Sequence, residues 1–247
     1  MAKLRAAVLA AGRGVRMGGE RPKTLLPVGD HPPLLHHILS GLKAAGIEDI
    51  LIVTGFKPEE IQDYVAERFP DLTPQYSFNA RYASWGNFHS VRVALDQSPG
   101  MDVLVVNSDV VVAPEVYRRV AGAPGDLVLA VQERTHLDDE DMRVRVESGR
   151  VLAIGKHLKR ALAHGEYAGV SLLRPPAARL YSDIATDLAW TGRLQGYYED
   201  VYAEMLTHIE TRSASVEEGE YAEVDNPEDL AAAIAVIERL EASPASA

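Results

Sequence analysis

The chain has 247 residues, 36 acidic and 25 basic side chains, a formal charge of −11 and no cysteine. Its 47% hydrophobic and 25% charged residues are ordinary globular composition, and the length supports a sizeable core in one large domain or two small ones. The acidic balance leaves no electrostatic footprint for nucleic acid, and the lack of Cys excludes disulfides, thiolate metal sites, iron–sulfur clusters and a Cys nucleophile.

Taken in chain order, residues 4–10 (LRAAVLA) read as a buried strand. The basic start and the apolar run behind it are cut short by Gly12, Arg13, Gly14 and Arg16, too soon for a secretory signal. No apolar run approaches the ~20 residues of a membrane span, so a soluble cytoplasmic protein is expected. Pro32 and Pro33 open a helix through Leu42, with Leu35, Ile38, Leu39 and Leu42 at helical spacing, and Gly46 closes it. DILIVTG is a second buried strand, Pro58 starts a helix through Arg68, TPQYSF is strand-like, and Asn87 to Leu95 is helical. MDVLVVNSD is the most apolar strand; Pro114 opens the next helix, and DLVLAVQ is again a strand. This β-α-β-α order predicts a mostly parallel, Rossmann-like sheet with helices on both faces.

The second half changes character. MRVRVE and RVLAIG alternate about Ser148-Gly149 as a hairpin, and EYAGVSLLR is a strand. Pro175-Pro176 opens a helix, EDVYAEMLTHI is another, and NPEDLAAAIAVIERLE is a C-terminal helix capped by Asn226 with Pro227 in its first turn. No internal repeat or Ser/Gly linker divides the chain, so a single domain is expected over 1–247.

The glycine-rich loop after the first strand is the most informative stretch. Gly12, Gly14, Gly18 and Gly19 let backbone N–H groups approach phosphate, and Arg13, Arg16 and Lys23 add positive charge. The spacing is G-x-G-x-x-x-G, which is not the dinucleotide fingerprint, and Lys23 follows Pro22 where a Walker loop needs Gly-Lys-Ser/Thr. A mobile surface loop with incidental cations is the plain alternative.

The stretch LAAGRGVRMGGERPKTLLPV resembles the signature of the sugar-phosphate nucleotidyltransferases, L-A-A-G-x-G-x-R-M…P-K. NARYASWGNFHS, NSDVVV, DMRVRVESGRVLAIGKHL with EYAGVSLL, and EVDNPEDL resemble, in order, the nucleobase, metal, acceptor and last metal segments of the bacterial phosphocholine/phosphonate cytidylyltransferases. The resemblance covers about residues 4–235 and implies a GT-A-like α/β fold with a nucleotide-binding half (1–132), a smaller acceptor-binding β/α portion (133–224) and a C-terminal helix (225–242).

The resemblance implies a chemistry that the residue types can serve. Nucleotidyl transfer joins an acceptor phosphate oxygen to the α-phosphorus of a nucleoside triphosphate and releases pyrophosphate, so fixed cations and Mg²⁺ are the main need. The acceptor phosphate or phosphonate is already largely ionised near neutral pH, and no general base is required. By resemblance, Arg16 grips the β/γ-phosphates and Lys23 bridges the α-phosphate. Ala10, Ala11 and Gly12, with Arg13 and Gly14, line the nucleotide, and Asp109 and Asp225 hold Mg²⁺. Either Asp is also a good turn or cap residue.

Asn79, Asn87 and Ser90 fall where the family reads the base, with turn and cap roles as the alternative; CTP follows from the branch and not from those side chains. Lys156 matches a lysine near the acceptor phosphate, Arg134 is a weaker match of that kind, and Gly169 sits in the acceptor strand. Trp190, Tyr197, Tyr198, Glu199 and Asp200 form an aromatic–acid cluster suited to an alkylammonium, as in phosphocholine or aminoethylphosphonate. Core packing beside a helix start explains the same cluster. Arg193 and Lys159 would instead favour a wholly anionic phosphonate.

His36-His37 and the other histidines show no metal spacing and read as surface or packing residues. A sugar-1-phosphate nucleotidyltransferase with another NTP, a non-catalytic nucleotide-binding module and, more remotely, a dinucleotide oxidoreductase are the competing readings. No nucleic-acid or membrane partner is expected; a homodimer is left open.

Overall fold

The computed structural model describes residues 2–14 and 19–242. In chain order it contains β1 (Leu4–Ala10), β2 (Pro27–Val28), β3 (His31–Pro33), α1 (Leu34–Ala44), β4 (Ile50–Thr54), α2 (Pro58–Arg68), β5 (Gln75–Phe78), α3 (Phe88–Asp96), β6 (Asp102–Asn107), β7 (Val110–Val112) and α4 (Pro114–Gly122). There follow β8 (Leu127–Glu133), β9 (Arg143–Glu147), β10 (Arg150–Ile154), β11 (Gly165–Leu173), α5 (Pro175–Trp190), α6 (Tyr198–Met205), β12 (Thr211–Val216), β13 (Tyr221–Glu223) and α7 (Leu230–Ala242). The proline-led helices begin where expected because proline at the first helical position loses no intrahelical bond.

Among the described residues one sheet has nine strands in the order β5-β4-β1-β6-β11-β8-β12-β10-β9. The first four run parallel, as the alternation of the first half requires. β11 then returns antiparallel between β6 and β8, while β12 is parallel to β8. β10 and β9 form the foreseen hairpin, turning on two left-handed residues, Ser148 and Gly149. The α/β class with helices on both faces therefore holds, while the parallel order is confined mainly to the first half and the sheet as a whole is mixed.

Alternating residues of each strand feed opposite layers. Ala6, Val8 and Ala10 of β1 pack with Leu35, Ile38, Leu39 and Leu42 of α1 and with Val116, Tyr117 and Val120 of α4. Ala7 and Leu9 face the other way, into a layer with Val91 of α3, Tyr181 of α5 and Tyr202 of α6. A smaller cluster seats α7, through Ala233, Val236 and Ile237, on Val111 of β7 and Val224.

A two-stranded ribbon sets the site. β13 pairs antiparallel with β7, Glu223 opposite Val110, and the Val224 N–H donates to the Asp109 carbonyl (2.8 Å). Asp109, just before β7, and Asp225, just after β13, are thereby brought side by side from distant parts of the chain.

Candidate active site

A cleft of about 400 Å³ opens beyond the carboxyl ends of β1 and β6. That is where ligands bind in open α/β sheets, because loops of both flanking units converge there. On one wall, Lys23 Nζ donates to Asp225 Oδ1 (2.5 Å) and Asp109 Oδ2 (3.1 Å). A Cβ on Gly14 would lie 2.5 Å from the Lys23 Cβ, so the glycine loop and the lysine stem touch backbone to side chain. Burial works to lower the Lys23 pKa, but the two carboxylates outweigh it and hold the ammonium above its ordinary value. Asp229 Oδ2 accepts from the N–H groups of Asp225 and Asn226 (2.8 and 2.9 Å), which fixes the turn carrying Asp225.

Carboxylate oxygens of Asp109, Glu223 and Asp225 lie within 4.8 Å of one another. Asp109 Oδ1 is buried with no hydrogen-bond partner among the described residues. Glu223 is pushed well above the usual carboxylate range, by burial first and then by Asp109, Asp225 and Glu166. Crowded, hard oxygen donors with one orphaned atom fit a small divalent cation, and these three are the residues that would hold it.

The opposite wall is acid and aromatic. Glu199 lines the cleft yet is only 6% exposed, and its Oε2 is buried without a partner among the described residues. Burial, with Asp200 and Asp109 adding to it, raises its pKa to about 7. Behind it the Tyr198 hydroxyl donates to Asn107 Oδ1 (2.8 Å) and stands 3.1 Å from the Tyr167 hydroxyl. Tyr167 donates in turn to Ser171 Oγ (3.1 Å), which lies 2.8 Å from the Tyr202 hydroxyl. At the rim Lys156 donates to Glu140 Oε2 (3.0 Å) and stands 5.7 Å over the Tyr197 ring. Burial tends to lower the Lys156 pKa, but Glu140 outweighs it and the net shift is upward.

Gly12, Gly14, Lys23, Asn87, Asp109, Lys156, Gly169, Tyr197, Glu199 and Asp225 all line this one cleft. Other expected residues fall elsewhere. Arg16 lies outside the described residues. Ala10 and Ala11 are buried beneath the loop, and the Ala11 carbonyl accepts from the Phe56 N–H (3.1 Å). Arg13 donates to the Gly19 carbonyl (3.2 Å) and its guanidinium lies 5.3 Å over the Phe56 ring. Asn79 is buried, donating to Ser90 Oγ (2.9 Å) and accepting from the Arg81 N–H (2.9 Å), so both side chains brace the segment from beneath.

Trp190 needs correction. It ends α5, 84% exposed, and does not join the cleft, because the turn at Thr191 and Gly192 carries the chain away before Tyr197. Tyr198 is wholly buried behind the cleft wall, and Asp200 folds back to accept from the Tyr197 N–H (2.8 Å), a helix-start role. Arg193 pairs with the exposed Glu204 (3.1 Å). Arg134 pairs with Glu166 (2.5 Å), and Lys159 precedes a 3-10 turn at Arg160–Leu162. His36 and His37 sit on α1, His36 within 3.2 Å of the Tyr64 hydroxyl and His37 within 3.1 Å of the Pro32 carbonyl.

Asn107, Glu140, Met142, Tyr167 and Glu223 line the cleft without having been foreseen. The signal for Glu223 was present. Glu223 and Asp225 are two apart in a strand-like run, which places both on one face.

The model of the MobA-like NTP transferase domain family matches residues 6–183. The bifunctional IPC transferase and DIPP synthase of Rubrobacter xylanophilus is 32% identical over 91% of this chain and 50% of its own length. The 2-aminoethylphosphonate cytidylyltransferase of Lancefieldella rimae is 27% identical over 93% of this chain and 92% of its own. Several of the curated relatives, the Rubrobacter protein among them, are longer, and the chain spans between about a fifth and a half of their length. The inositol-1-phosphate CTP transferase from T. maritima has the same fold, with a TM-score of 0.83, 19% identity and 98% coverage of both chains.

Proposed function

We propose that this chain, which belongs to the MobA-like NTP transferase domain family, is a Mg²⁺-dependent cytidylyltransferase. It would transfer CMP from CTP to a small phosphate or phosphonate that carries an ammonium group, with release of pyrophosphate. One observation carries the reading: Lys23, the three-carboxylate cluster, the glycine loop and the buried Glu199, whose Oε2 has no partner among the described residues, converge on a single cleft. CTP, in preference to another triphosphate, is supported by the likeness to the 2-aminoethylphosphonate cytidylyltransferase of Lancefieldella rimae.

Asp109, Glu223 and Asp225 would hold the divalent ion, which would supply positive charge beside the triphosphate. Lys23 offers its ammonium to the α-phosphate, where charge accumulates as the acceptor oxygen bonds to phosphorus and the bond to the pyrophosphate oxygen breaks. The acceptor oxygen arrives ionised, so no side chain has to take a proton from it. Gly12 and Gly14 let the chain lie close to the phosphates. Of the three residues expected at the base, Asn87 faces the cleft, while Asn79 and Ser90 support it.

Lys156, released from Glu140, is placed for the acceptor phosphonate. Glu199 then receives the far end of the acceptor. An orphaned carboxylate oxygen needs an N–H or O–H donor. A primary ammonium supplies one and a trimethylammonium does not, so an aminoalkylphosphonate is preferred to phosphocholine. Inositol phosphate is the second reading, because its hydroxyls also donate and a fold neighbour is named for it. Among the described residues no helix is long and apolar enough to cross a membrane, and a cytoplasmic setting belongs to the proposal.

The test is pyrophosphate release from CTP, UTP, dTTP and GTP against 2-aminoethylphosphonate, phosphocholine, inositol 1-phosphate and glucose 1-phosphate, with Mg²⁺. CTP with 2-aminoethylphosphonate should give the highest kcat/KM. Preference for glucose 1-phosphate with UTP or dTTP makes it a sugar-phosphate enzyme, and CTP binding without turnover on any acceptor makes it a binding module.

A further inference from the structure

The segment expected to meet the nucleobase and the segment expected to meet the acceptor are sewn together. The Gly86 N–H donates to the Leu194 carbonyl (2.6 Å), and Gln195 Nε2 donates to the Ser84 carbonyl (2.9 Å). The Tyr198 N–H donates to Asn87 Oδ1 (2.9 Å). The approach is close enough to require glycine, since a Cβ on Gly86 would fall 2.0 Å from the Gly196 carbonyl oxygen.

Asn87 is the telling member of this seam. It sits at the cap position of α3 yet makes no side-chain cap bond to that helix. Its carbonyl oxygen instead satisfies the first N–H of α6, the helix whose second residue is the buried Glu199. Helix-start N–H groups have no intrahelical partner, and an Asn oxygen is among the best caps for them. An amide also has donors, and Asn87 lines the cleft.

We propose that Asn87 is a positioning residue that couples the two substrate sites: by capping α6 from the nucleotide side, it holds Glu199 in register with bound CTP. The proposal rests on the function given above. Nucleotide contact with the Asn87 segment steadies the acceptor helix, so CTP strengthens acceptor binding although the acceptor end never touches the base.

Asn87→Ala removes both the cap and the donors. Asn87→Asp keeps an oxygen at the helix start, where negative charge is also favourable, and loses the amide donors. With 2-aminoethylphosphonate as acceptor, Asn87→Ala should raise acceptor KM roughly tenfold, the scale of one lost cap. Asn87→Asp should return acceptor KM to within about twofold of the parent while its CTP KM stays high. An unchanged acceptor KM in Asn87→Ala, or no rescue by Asn87→Asp, overturns the coupling.

Amide exchange over residues 197–202, measured without substrates, separates this from failure of the functional reading. If the parent binds CTP but does not consume 2-aminoethylphosphonate, the acceptor assignment is what fails. Faster exchange in Asn87→Ala, restored in Asn87→Asp, still supports the cap, and equal exchange in all three proteins refutes it.

Discussion

A divalent ion held by Asp109 and Asp225 would compete with Lys23 for the same oxygens. Its ammonium touches Asp109 and Asp225, so in nucleotide-free protein it stands in for the ion as their counter-charge. Lys23→Met should lower turnover at least ~10²-fold, the scale of removing one preorganised charge donor. The same variant should bind Mn²⁺ about tenfold more tightly than the parent in the absence of nucleotide, because a nearby positive charge is gone. Titration of Mn²⁺ by electron paramagnetic resonance reads this directly; equal affinity would remove Lys23 from the cluster. Glu199 gives a second test. It must be ionised to receive an ammonium, and its raised pKa of about 7 places that change near neutrality. Acceptor kcat/KM should therefore rise with pH through about 7 in the parent. In Glu199→Gln that component should vanish, leaving the ionisation of the acceptor phosphonate itself, while acceptor KM rises about tenfold or more. Lys23, Asp109 and Asp225 were readable only as members of a motif. Their meeting point was not, because spacing along the chain says nothing of a ribbon formed by residues 110–112 and 221–223.

Elements with strong local signals were legible to within a residue or two. α2, α4 and α5 each start on proline, and the β9–β10 turn has the left-handed pair that a two-residue hairpin demands. β12 (TRSASV) was not foreseen, for it carries little apolar alternation and is made a strand by its neighbours β8 and β10. The start of α6 was legible as a helix and as one side of the acceptor pocket, but its acids look equivalent in sequence, whereas Asp200 closes the helix start and Glu199 faces the cleft. The tyrosine hydroxyls behind that wall fasten α6 to β11 and β6. Tyr198→Phe leaves Asn107 without its donor and should cost about 1–3 kcal/mol, lowering Tm by about 2–10 °C. A melting curve unchanged from the parent would mean that the hydroxyl chain does not hold the helix.

At the scale of the whole molecule, buried acids set the pH response. Glu166 and Glu199 both have pKa values raised from 4.5 to about 7, each by burial first. Between those values the folded chain holds protons that the unfolded chain has released, so stability falls as pH rises. Metal-free protein should therefore melt higher at pH 5.5 than at pH 8, with a shallower slope in Glu199→Gln; a Tm that climbs across this window would contradict the burial of these groups. The fold class was visible from the alternation of the first half, but the path of the sheet was not, since nothing local marks β11 as the strand that enters between β6 and β8.

That late insertion has a consequence for biosynthesis. A nascent polypeptide that has emerged only as far as residue 133 carries β6 and β8 with no strand between them, and each waits with an open hydrogen-bonding edge for residues 165–173. Ribosome-stalled or truncated chains ending near there should stick to one another, and the first half should not be recoverable as an independent folding unit.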